Sequence, residues 1–180
     1  MTPTIRLGSD FSGLDTAYWA MRCLKVPFRH VFACDSGSAS LKILRYLQPE
    51  MIYTDVRTRQ AHEVPEVDLF SFGAPCQPYS RLGKRKGANC EEGQLALFSL
   101  AYILHRKPKM VFMEQVLDVA SEEDFMQLLI TELHQSGYLV DMQKLTCSDY
   151  GVPQSRERLY LVAIHRAAQF AFPAPIPPGC

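Results

Sequence analysis

Cys76 lies in a stretch whose composition is typical of a catalytic turn. The stretch, residues 73–80 (GAPCQPYS), follows the short apolar run 67–72, which predicts a buried strand of a parallel sheet. The thiol would then leave the sheet at the carboxyl end of a strand, the edge at which ligands bind in open α/β sheets. Pro75 and Pro78 restrain the backbone on both sides of Cys76, as a nucleophile requires. Taken alone, a cysteine is more often a small buried hydrophobe.

A second strand end supplies a candidate partner for the thiol. Residues 109–114 (KMVFME) show a strand pattern that ends in Glu114, so its carboxylate is expected beside Cys76 at the same edge of the sheet. The loop from Arg81 to Gly87 lies between the two in sequence and carries four positive charges. Such a loop is either only solvated or able to clamp phosphates beside a reactive centre.

The amino-terminal residues show the pattern that opens a nucleotide-binding α/β unit. A strand over 5–10 runs into residues 11–16 (FSGLDT) and then into a helix over 17–24. Gly13 would let the backbone approach a ligand closely. The three spaced glycines of a dinucleotide site are absent, so this pattern alone is not specific.

Two further predicted strands end in acids. Asp35 ends a strand over 29–35, and its carboxylate could accept hydrogen bonds from two ribose hydroxyls or cap the helix that begins near Ser38. Asp55 ends a strand over 52–55 and could accept a hydrogen bond from an adenine amino group or cap a turn.

The alternation of strands and helices continues along the chain. Helices are predicted over 95–105 and 122–136, and strands over 139–146 and 159–164. This predicts an α/β fold with a doubly wound, mostly parallel sheet and helices on both faces. A nicotinamide dehydrogenase shares that architecture, but its glycine fingerprint is absent and it would leave Cys76 unexplained.

Composition restricts the function classes further. A chain of 180 residues with 47% hydrophobic content is expected to form one domain with one core. The 19 basic and 19 acidic residues cancel, so any attraction to nucleic acid must be local. The six cysteines form no Cys-x-x-Cys pair, which disfavours a zinc site. No signal peptide and no membrane-spanning run is recognised, so we expect reduced thiols and an intracellular protein.

Together, these motifs resemble those of the cytosine-5 DNA methyltransferases. The motifs at 11–13 (FSG), 73–80, 114–116 (EQV) and 154–158 (QSRER) are similar to four motifs of that family and occur in the family's order. The resemblance covers residues 5 to about 175. It implies the Rossmann-like fold of S-adenosylmethionine-dependent methyltransferases.

The resemblance also implies a role for each matched residue. The residues it assigns to S-adenosyl-L-methionine are Phe11 on the adenine, Asp35 on the ribose, Asp55 on the adenine amine, and Ser12, Gly13, Leu14, Gly73 and Pro75. The residues it assigns to catalysis are Cys76 as nucleophile, Glu114 on cytosine N3 and the exocyclic amine, Arg158 on O2, and Arg156, Gln154, Gln77 and Ser80 around them. The implied reaction is methylation at C5 of a cytosine flipped out of DNA, through a covalent adduct with Cys76.

The chain departs from the family's pattern at a few positions. Asp15 and Thr16 replace glycines and are expected to crowd or to hydrogen-bond the methionine end of the cofactor. Ser9 stands where the family commonly has an acid, for which the adjacent Asp10 could substitute. Gln115 replaces the asparagine that usually follows the catalytic glutamate.

The family's pattern continues past the last matched motif, whereas this sequence ends at Cys180. We interpret residues 1–171 as an incomplete methyltransferase catalytic domain, and the Pro-rich residues 172–180 as a tail or the start of a linker to a target recognition domain. A second polypeptide could carry that domain. The expected compartment is the nucleus, or the nucleoid and cytoplasm, depending on the host.

Three functions remain open from the sequence. The first is methyl transfer to cytosine in DNA, with the chain inactive when it is alone. The second is a non-catalytic, methyltransferase-like partner protein, which the changes at Asp15, Thr16 and Gln115 motivate. The third is methylation of tRNA, because the Pro-Cys-Gln motif does not distinguish DNA from RNA as a substrate.

Overall fold

The computed structural model describes residues 4–75, 91–121, 123–166 and 169–176. The predicted catalytic residues Cys76, Gln77 and Ser80 lie outside the described residues, as does the basic loop 81–87. The strand that leads into the catalytic turn is described as far as Pro75.

Every predicted strand and helix is present, with ends that shift by a few residues. The strands are β1 (Ile5–Asp10), β2 (Phe28–Cys34), β3 (Met51–Tyr53), β4 (Leu69–Phe72), β5 (Met110–Gln115), β6 (Tyr138–Thr146) and β7 (Glu157–His165). The helices are α1 (Thr16–Cys23), α2 (Ser38–Leu47), α3 (Glu91–Arg106) and α4 (Glu123–Gln135). None of these described helices is long and apolar enough to cross a membrane.

The strands of the described ranges form a seven-stranded sheet in the order β3-β2-β1-β4-β5-β7-β6. β1 pairs in parallel with β2 and β4, and parallel pairs also join β2 to β3 and β4 to β5. β7 is antiparallel to both of its neighbours, β5 and β6. The sheet is therefore mostly parallel, as predicted, with β7 alone reversed. The chain leaves β1 toward β2 and later returns to β4, so the crevice between β1 and β4 is a topological switch point.

Helices cover both faces of the sheet, which confirms the doubly wound architecture. Successive residues of a strand point to opposite faces. The side chain of Asp10 accepts a hydrogen bond from Ser99 of α3 at 2.7 Å, whereas that of Ser9 donates to Asp15, the N-cap of α1, at 3.2 Å. α1 and α3 therefore lie on opposite sides of β1.

The core on the α3 side is built around an aromatic cluster. The ring of Phe32 lies 5.4 Å from that of Tyr102 and 6.1 Å from that of Phe70, and all three side chains are almost fully buried. Apolar side chains from alternate positions of β5 and β7, including Met113 and Leu161, extend this layer toward α4. The core thus anchors the strands whose ends carry the candidate site.

The tail at 169–176 contacts the turn that precedes β7. The backbone N–H of Ile176 donates to the carbonyl of Asp149 at 2.8 Å, and the hydroxyl of Tyr150 donates to the carbonyl of Pro173 at 3.1 Å. The described part of this Pro-rich segment is therefore held against the domain. Its role as a linker stays a prediction.

An ionic cluster fastens the amino-terminal edge of the sheet. Asp68 accepts hydrogen bonds from the backbone N–H of Arg6 at 3.0 Å and from its Nε at 3.1 Å, and Lys109 Nζ lies 3.0 Å from the same carboxylate. Partial burial alone would raise the pKa of Asp68, but the bonds from Arg6 and Lys109 outweigh it and hold this pKa well below its usual range. The cluster ties β1 to the strands that begin beside it.

Asp68→Asn should destabilise the protein in a pH-dependent way. A carboxylate with a lowered folded-state pKa stabilises the fold above its unfolded value of 3.8, and this contribution is lost as pH falls through the folded value. We expect urea unfolding to show a loss of about 1–2 kcal/mol at pH 7 and pH 5 that shrinks below about pH 4. Asp141→Asn, on the exposed edge of β6, is the control and should show no such loss. A loss in Asp68→Asn that does not change with pH would contradict this assignment.

Candidate active site

The carboxyl ends of β1, β4 and β5 meet around one cleft at the switch point. Its volume is about 160 Å³. Among the residues that line it are Phe11, Ser12, Asp15, Thr16, Gly73 and Glu114. The structure thus brings together members of both predicted sets, the cofactor residues of the amino-terminal turn and the catalytic Glu114.

The glycine turn after β1 is fastened to the end of β2. The backbone N–H of Ser12 donates to the carbonyl of Cys34 at 3.0 Å, and the Ser12 hydroxyl lies within hydrogen-bond distance of the backbone of the same residue. The backbone N–H of Gly13 donates to Asp35 Oδ2 at 2.8 Å, and Gly13 has a φ of +56°. Gly13 therefore needs its conformational freedom, and Asp35 lies directly beside the turn.

Phe11 starts this turn in a strained conformation. Its φ is +53°, a left-handed value that costs a non-glycine residue about 1–2 kcal/mol. The half-buried ring packs against the hydrophobic core, which offsets part of that cost. Leu14 behaves differently from its neighbours, because its side chain is 62% exposed and does not line the cleft.

Asp15 occupies the position of a family glycine in a glycine-like conformation. Its φ is +54°, and as N-cap of α1 its side chain accepts a hydrogen bond from the backbone N–H of Tyr18. The carboxylate is buried, where it accepts a bond from Ser9 and lies 2.9 Å from His30 Nε2. The departure from glycine is therefore accommodated by partners inside the protein.

Asp10 does not substitute for the acid that the family has at position 9. Its side chain lies on the α3 face of the sheet, where Arg59 and Ser99 donate to it. Burial raises the pKa of Asp10, and these two donors oppose that shift. The expectation was wrong because adjacent strand residues face opposite sides. The carboxylate beside Ser9 comes from Asp15 instead.

The acids after β2 and β3 have local partners. The N-cap of α2 is Gly37, not Asp35, so the capping alternative for Asp35 is wrong; its Oδ1 accepts the backbone N–H of Gly37 at 2.7 Å. Asp55 caps the 3₁₀ helix Val56–Thr58 and pairs with the Arg57 guanidinium at 2.7 Å. These bonds from Arg57 lower the pKa of Asp55. The turn-capping alternative for Asp55 is confirmed, while the cofactor contacts of both acids stay predictions.

Glu114 lies between two arginines and the exit of β4. Its Oε1 lies 3.2 Å from Arg156 Nη2 and 3.0 Å from Arg158 Nε. A Cβ on Gly73 would come within 3.0 Å of the Glu114 carbonyl oxygen, so the two strand ends touch. Gln154 is exposed in the preceding turn, where its carbonyl accepts the backbone N–H of Arg156 at 3.0 Å. Three of the predicted catalytic side chains are thus in direct contact.

The pairing of β5 with β7 explains this contact. Glu114 lies opposite Tyr160 in the antiparallel ladder. Arg158 precedes Tyr160 by two residues and therefore projects from the same face of the sheet. The guanidinium groups of Arg158 and Arg156 reach a carboxylate that neither could reach from a parallel strand.

Gln115 is a site residue that the sequence analysis noted only as a departure. Its side chain is buried, and Nε2 donates to the carbonyl of Ala74 at 2.9 Å. Ala74 lies two residues before Cys76, so this bond holds the backbone that enters the catalytic turn. The alternation of residues in β5 could have predicted this role, because Gln115 falls on the same face as the buried Val111 and Met113. A buried amide side chain needs a hydrogen-bond partner.

Gln115→Leu should loosen the entry to the catalytic turn. The substitution leaves the Ala74 carbonyl without its donor, which should lower the free energy of unfolding by about 1–3 kcal/mol. Urea unfolding measures that loss, and the rate at which Cys76 reacts with iodoacetamide should also change. Gln127→Leu, at an exposed position of α4, is the matched control and should stay within about 0.5 kcal/mol of wild type. Equal effects of the two substitutions would rule out the proposed tether.

The described cysteines differ in their capacity for reaction. Cys34 is buried in β2, and burial raises its pKa to about 12, so it stays a neutral thiol. Cys23 is exposed on α1 and Cys147 is half-buried. Cys34 is therefore excluded as a nucleophile, and Cys23 is a suitable control in experiments on Cys76.

Comparisons with known proteins show what the chain as a whole is similar to. Residues 5–177 match the family model described as C-5 cytosine-specific DNA methylase. Type II methyltransferase M.NgoBI of Neisseria gonorrhoeae is 30% identical over 179 residues, covering 98% of this chain and 55% of the relative. Type II methyltransferase M.HhaI of Haemophilus parahaemolyticus is 34% identical over 134 residues, covering 71% of this chain and 40% of the relative. The chain spans about half the length of the curated relatives it matches.

A solved structure gives the same fold. The Dnmt2 methyltransferase of S. pombe has a TM-score of 0.78 with 22% identity, and the match covers 93% of this chain and 53% of that one. At this identity the likeness concerns the fold alone.

Proposed function

Since the chain belongs to the family of C-5 cytosine-specific DNA methylases, we propose that its cleft transfers a methyl group from S-adenosyl-L-methionine to C5 of cytosine in DNA. The observation that carries this proposal is the position of Glu114. Its carboxylate is held by Arg156 and Arg158 and touches the strand exit that leads to Cys76 three residues beyond Gly73. The relatives are about twice as long, so we propose that a further region, on the same or a second polypeptide, completes DNA recognition.

Residues of the cleft, together with Asp35 beside the glycine turn, would fit S-adenosyl-L-methionine. Thr16, the first residue of α1, lines the cleft and would donate a hydrogen bond to the cofactor's carboxylate, while the Asp15 carboxylate already caps the helix. Each oxygen of Asp35 accepts one backbone N–H, from Gly13 or Gly37, and keeps a second lone pair for a ribose hydroxyl. Phe11 offers a half-buried ring for the adenine. When bound, the cofactor supplies a methyl group on a sulfonium, which is an electrophile.

The remaining residues act on the cytosine. The Cys76 thiolate would add to C6, which makes C5 nucleophilic; after methylation, loss of the C5 proton and of the thiolate restores the ring. Glu114 would bind N3 and the exocyclic amine, and Arg158 would donate to O2. Their mutual contact keeps the carboxylate and the guanidinium oriented before the base arrives. A flipped base is required, because these edges are blocked inside a duplex.

Asp35→Ala should weaken cofactor binding at least tenfold, about 1.4 kcal/mol. The substitution removes the acceptor for the ribose and releases the Gly13 N–H at the glycine turn. Isothermal titration with S-adenosylhomocysteine measures the affinity. Asp141→Ala, an exposed aspartate on β6, should leave it unchanged. Unaltered affinity in Asp35→Ala would remove Asp35 from the cofactor site.

Cys76→Ser should abolish covalent capture of a 5-fluorocytosine duplex in the presence of S-adenosyl-L-methionine. Fluorine at C5 blocks the final elimination, so the wild-type protein stays bonded to C6 and shifts on a denaturing gel. The chain is assayed together with the carboxyl-terminal half of M.NgoBI as a second polypeptide, which supplies the part of that relative that the match does not cover. Cys23→Ser is the control and should form the adduct.

Further measurements on the same pair of polypeptides separate the alternative functions. Transfer of labelled methyl groups to tRNA but not to duplex DNA would replace DNA by RNA as substrate. Cofactor binding that is absent even with the carboxyl-terminal piece would favour the non-catalytic partner protein. An adduct that persists in Cys76→Ser would overturn the mechanism.

A further inference from the structure

Arg59 is a charged side chain inside the protein and belongs to none of the four motifs that carry the family resemblance. Only 5% of its side chain is exposed, and its Nη2 donates to Asp10 Oδ2. The hydroxyl of Ser99 donates to the same oxygen at 2.7 Å. Asp10 Oδ1 and Arg59 Nη1 have no hydrogen-bond partner among the described residues. The pair is therefore desolvated, which costs stability that its mutual attraction must offset.

Aromatic rings fix the guanidinium from several sides. Its central carbon lies 5.2 Å from the ring centroid of Tyr53, 5.4 Å from that of Phe32 and 5.9 Å from that of Tyr102. These distances are within cation–π range. Because the rings belong to β3, β2 and α3, the position of Arg59 is determined by three separate elements.

The ion pair joins two segments that the sheet keeps apart. Asp10 directly precedes Phe11 and the glycine turn, while Arg59 directly follows the 3₁₀ helix that Asp55 caps. In the sheet, β2 lies between β1 and β3, so backbone pairing alone connects these segments only indirectly. The contact between Arg59 and Asp10 is a direct link on the α3 face.

We propose that Arg59 is a positioning residue. It sets where the segment 55–58, which begins at Asp55, lies relative to the glycine turn after β1. This rests on the proposed function, in which Phe11 and Asp55 contact the same cofactor. A ligand that spans two segments binds more tightly when their separation is already correct, because no ordering cost arises on binding. An apolar pair at positions 10 and 59 would fill the space without specifying that separation.

The test separates positioning from stability. Arg59→Met leaves the buried carboxylate of Asp10 without its cation, so this variant should have a lower thermal midpoint than wild type. The double variant Asp10→Leu/Arg59→Met removes both charges, and its thermal midpoint should return most of the way to the wild-type value. We expect the double variant still to bind S-adenosylhomocysteine at least about fivefold more weakly than wild type. Backbone amides of residues 55–58 should exchange about tenfold faster in both variants. Arg6→Met is the matched control.

The control, Arg6→Met, breaks the Arg6–Asp68 pair at the opposite end of β1. It should lower the thermal midpoint but leave the affinity for S-adenosylhomocysteine within about twofold of the wild-type value. A double variant with wild-type affinity and unchanged exchange would overturn the positioning role. Failure of the wild-type chain to bind S-adenosylhomocysteine would instead refute the proposed cofactor site and with it the effect on affinity. The exchange rates would then still decide whether the tether exists.

Discussion

The in-register pairing of β1, β4 and β5 is the constraint on which the site depends. Asp10 lies opposite Phe72, and Phe72 lies opposite Met113, so β1 and β4 end level with Met113, two residues before the end of β5. The next residue of each strand, Phe11, Gly73 or Glu114, must therefore appear at the same edge. Backbone hydrogen bonds fix this geometry with little regard to side chains. The pairing therefore does not restrict which side chains occupy that edge, and these positions can carry catalytic or binding residues.

The reversal of β7 adds what parallel strands cannot supply. Residues that precede a parallel strand lie at the edge of the sheet away from the cleft. Because β7 runs antiparallel to β5, the residues that enter it, Arg156 and Arg158, arrive at the cleft edge beside Glu114. One reversed strand thus brings cationic donors to a rim otherwise built from strand exits. A carboxylate held in this way keeps one orientation, which the proposed contact with a cytosine would require.

The sequence predicts the elements and the acids at strand ends because hydrophobic periodicity and turn residues are local signals. It does not predict contacts that depend on which face or partner a side chain meets. From the sequence, Asp10 could have substituted for an acid at position 9, yet it faces α3. Asp15 lines the cleft, but its contact with His30 of β2 was not predicted. Gln115 and Arg59 acquire their roles only through residues distant in sequence, Ala74 and Asp10.

The placement of buried polarity suggests why these contacts exist. The polar or charged residues that are buried in the described ranges are Ser9, Asp10, Asp15, His30, Ser99 and Gln115, and the side chain of Arg59 is buried as well. Most of them meet near the carboxyl ends of β1 and β5: Asp15 accepts a bond from Ser9 and lies beside His30 of β2, Asp10 accepts bonds from Ser99 and Arg59, and Gln115 donates to the backbone before Cys76. An apolar interior is stable but tolerates small shifts, whereas a buried hydrogen bond is lost when its partners move. Polarity concentrated at these strand ends therefore favours one arrangement of the cleft where positional accuracy matters most.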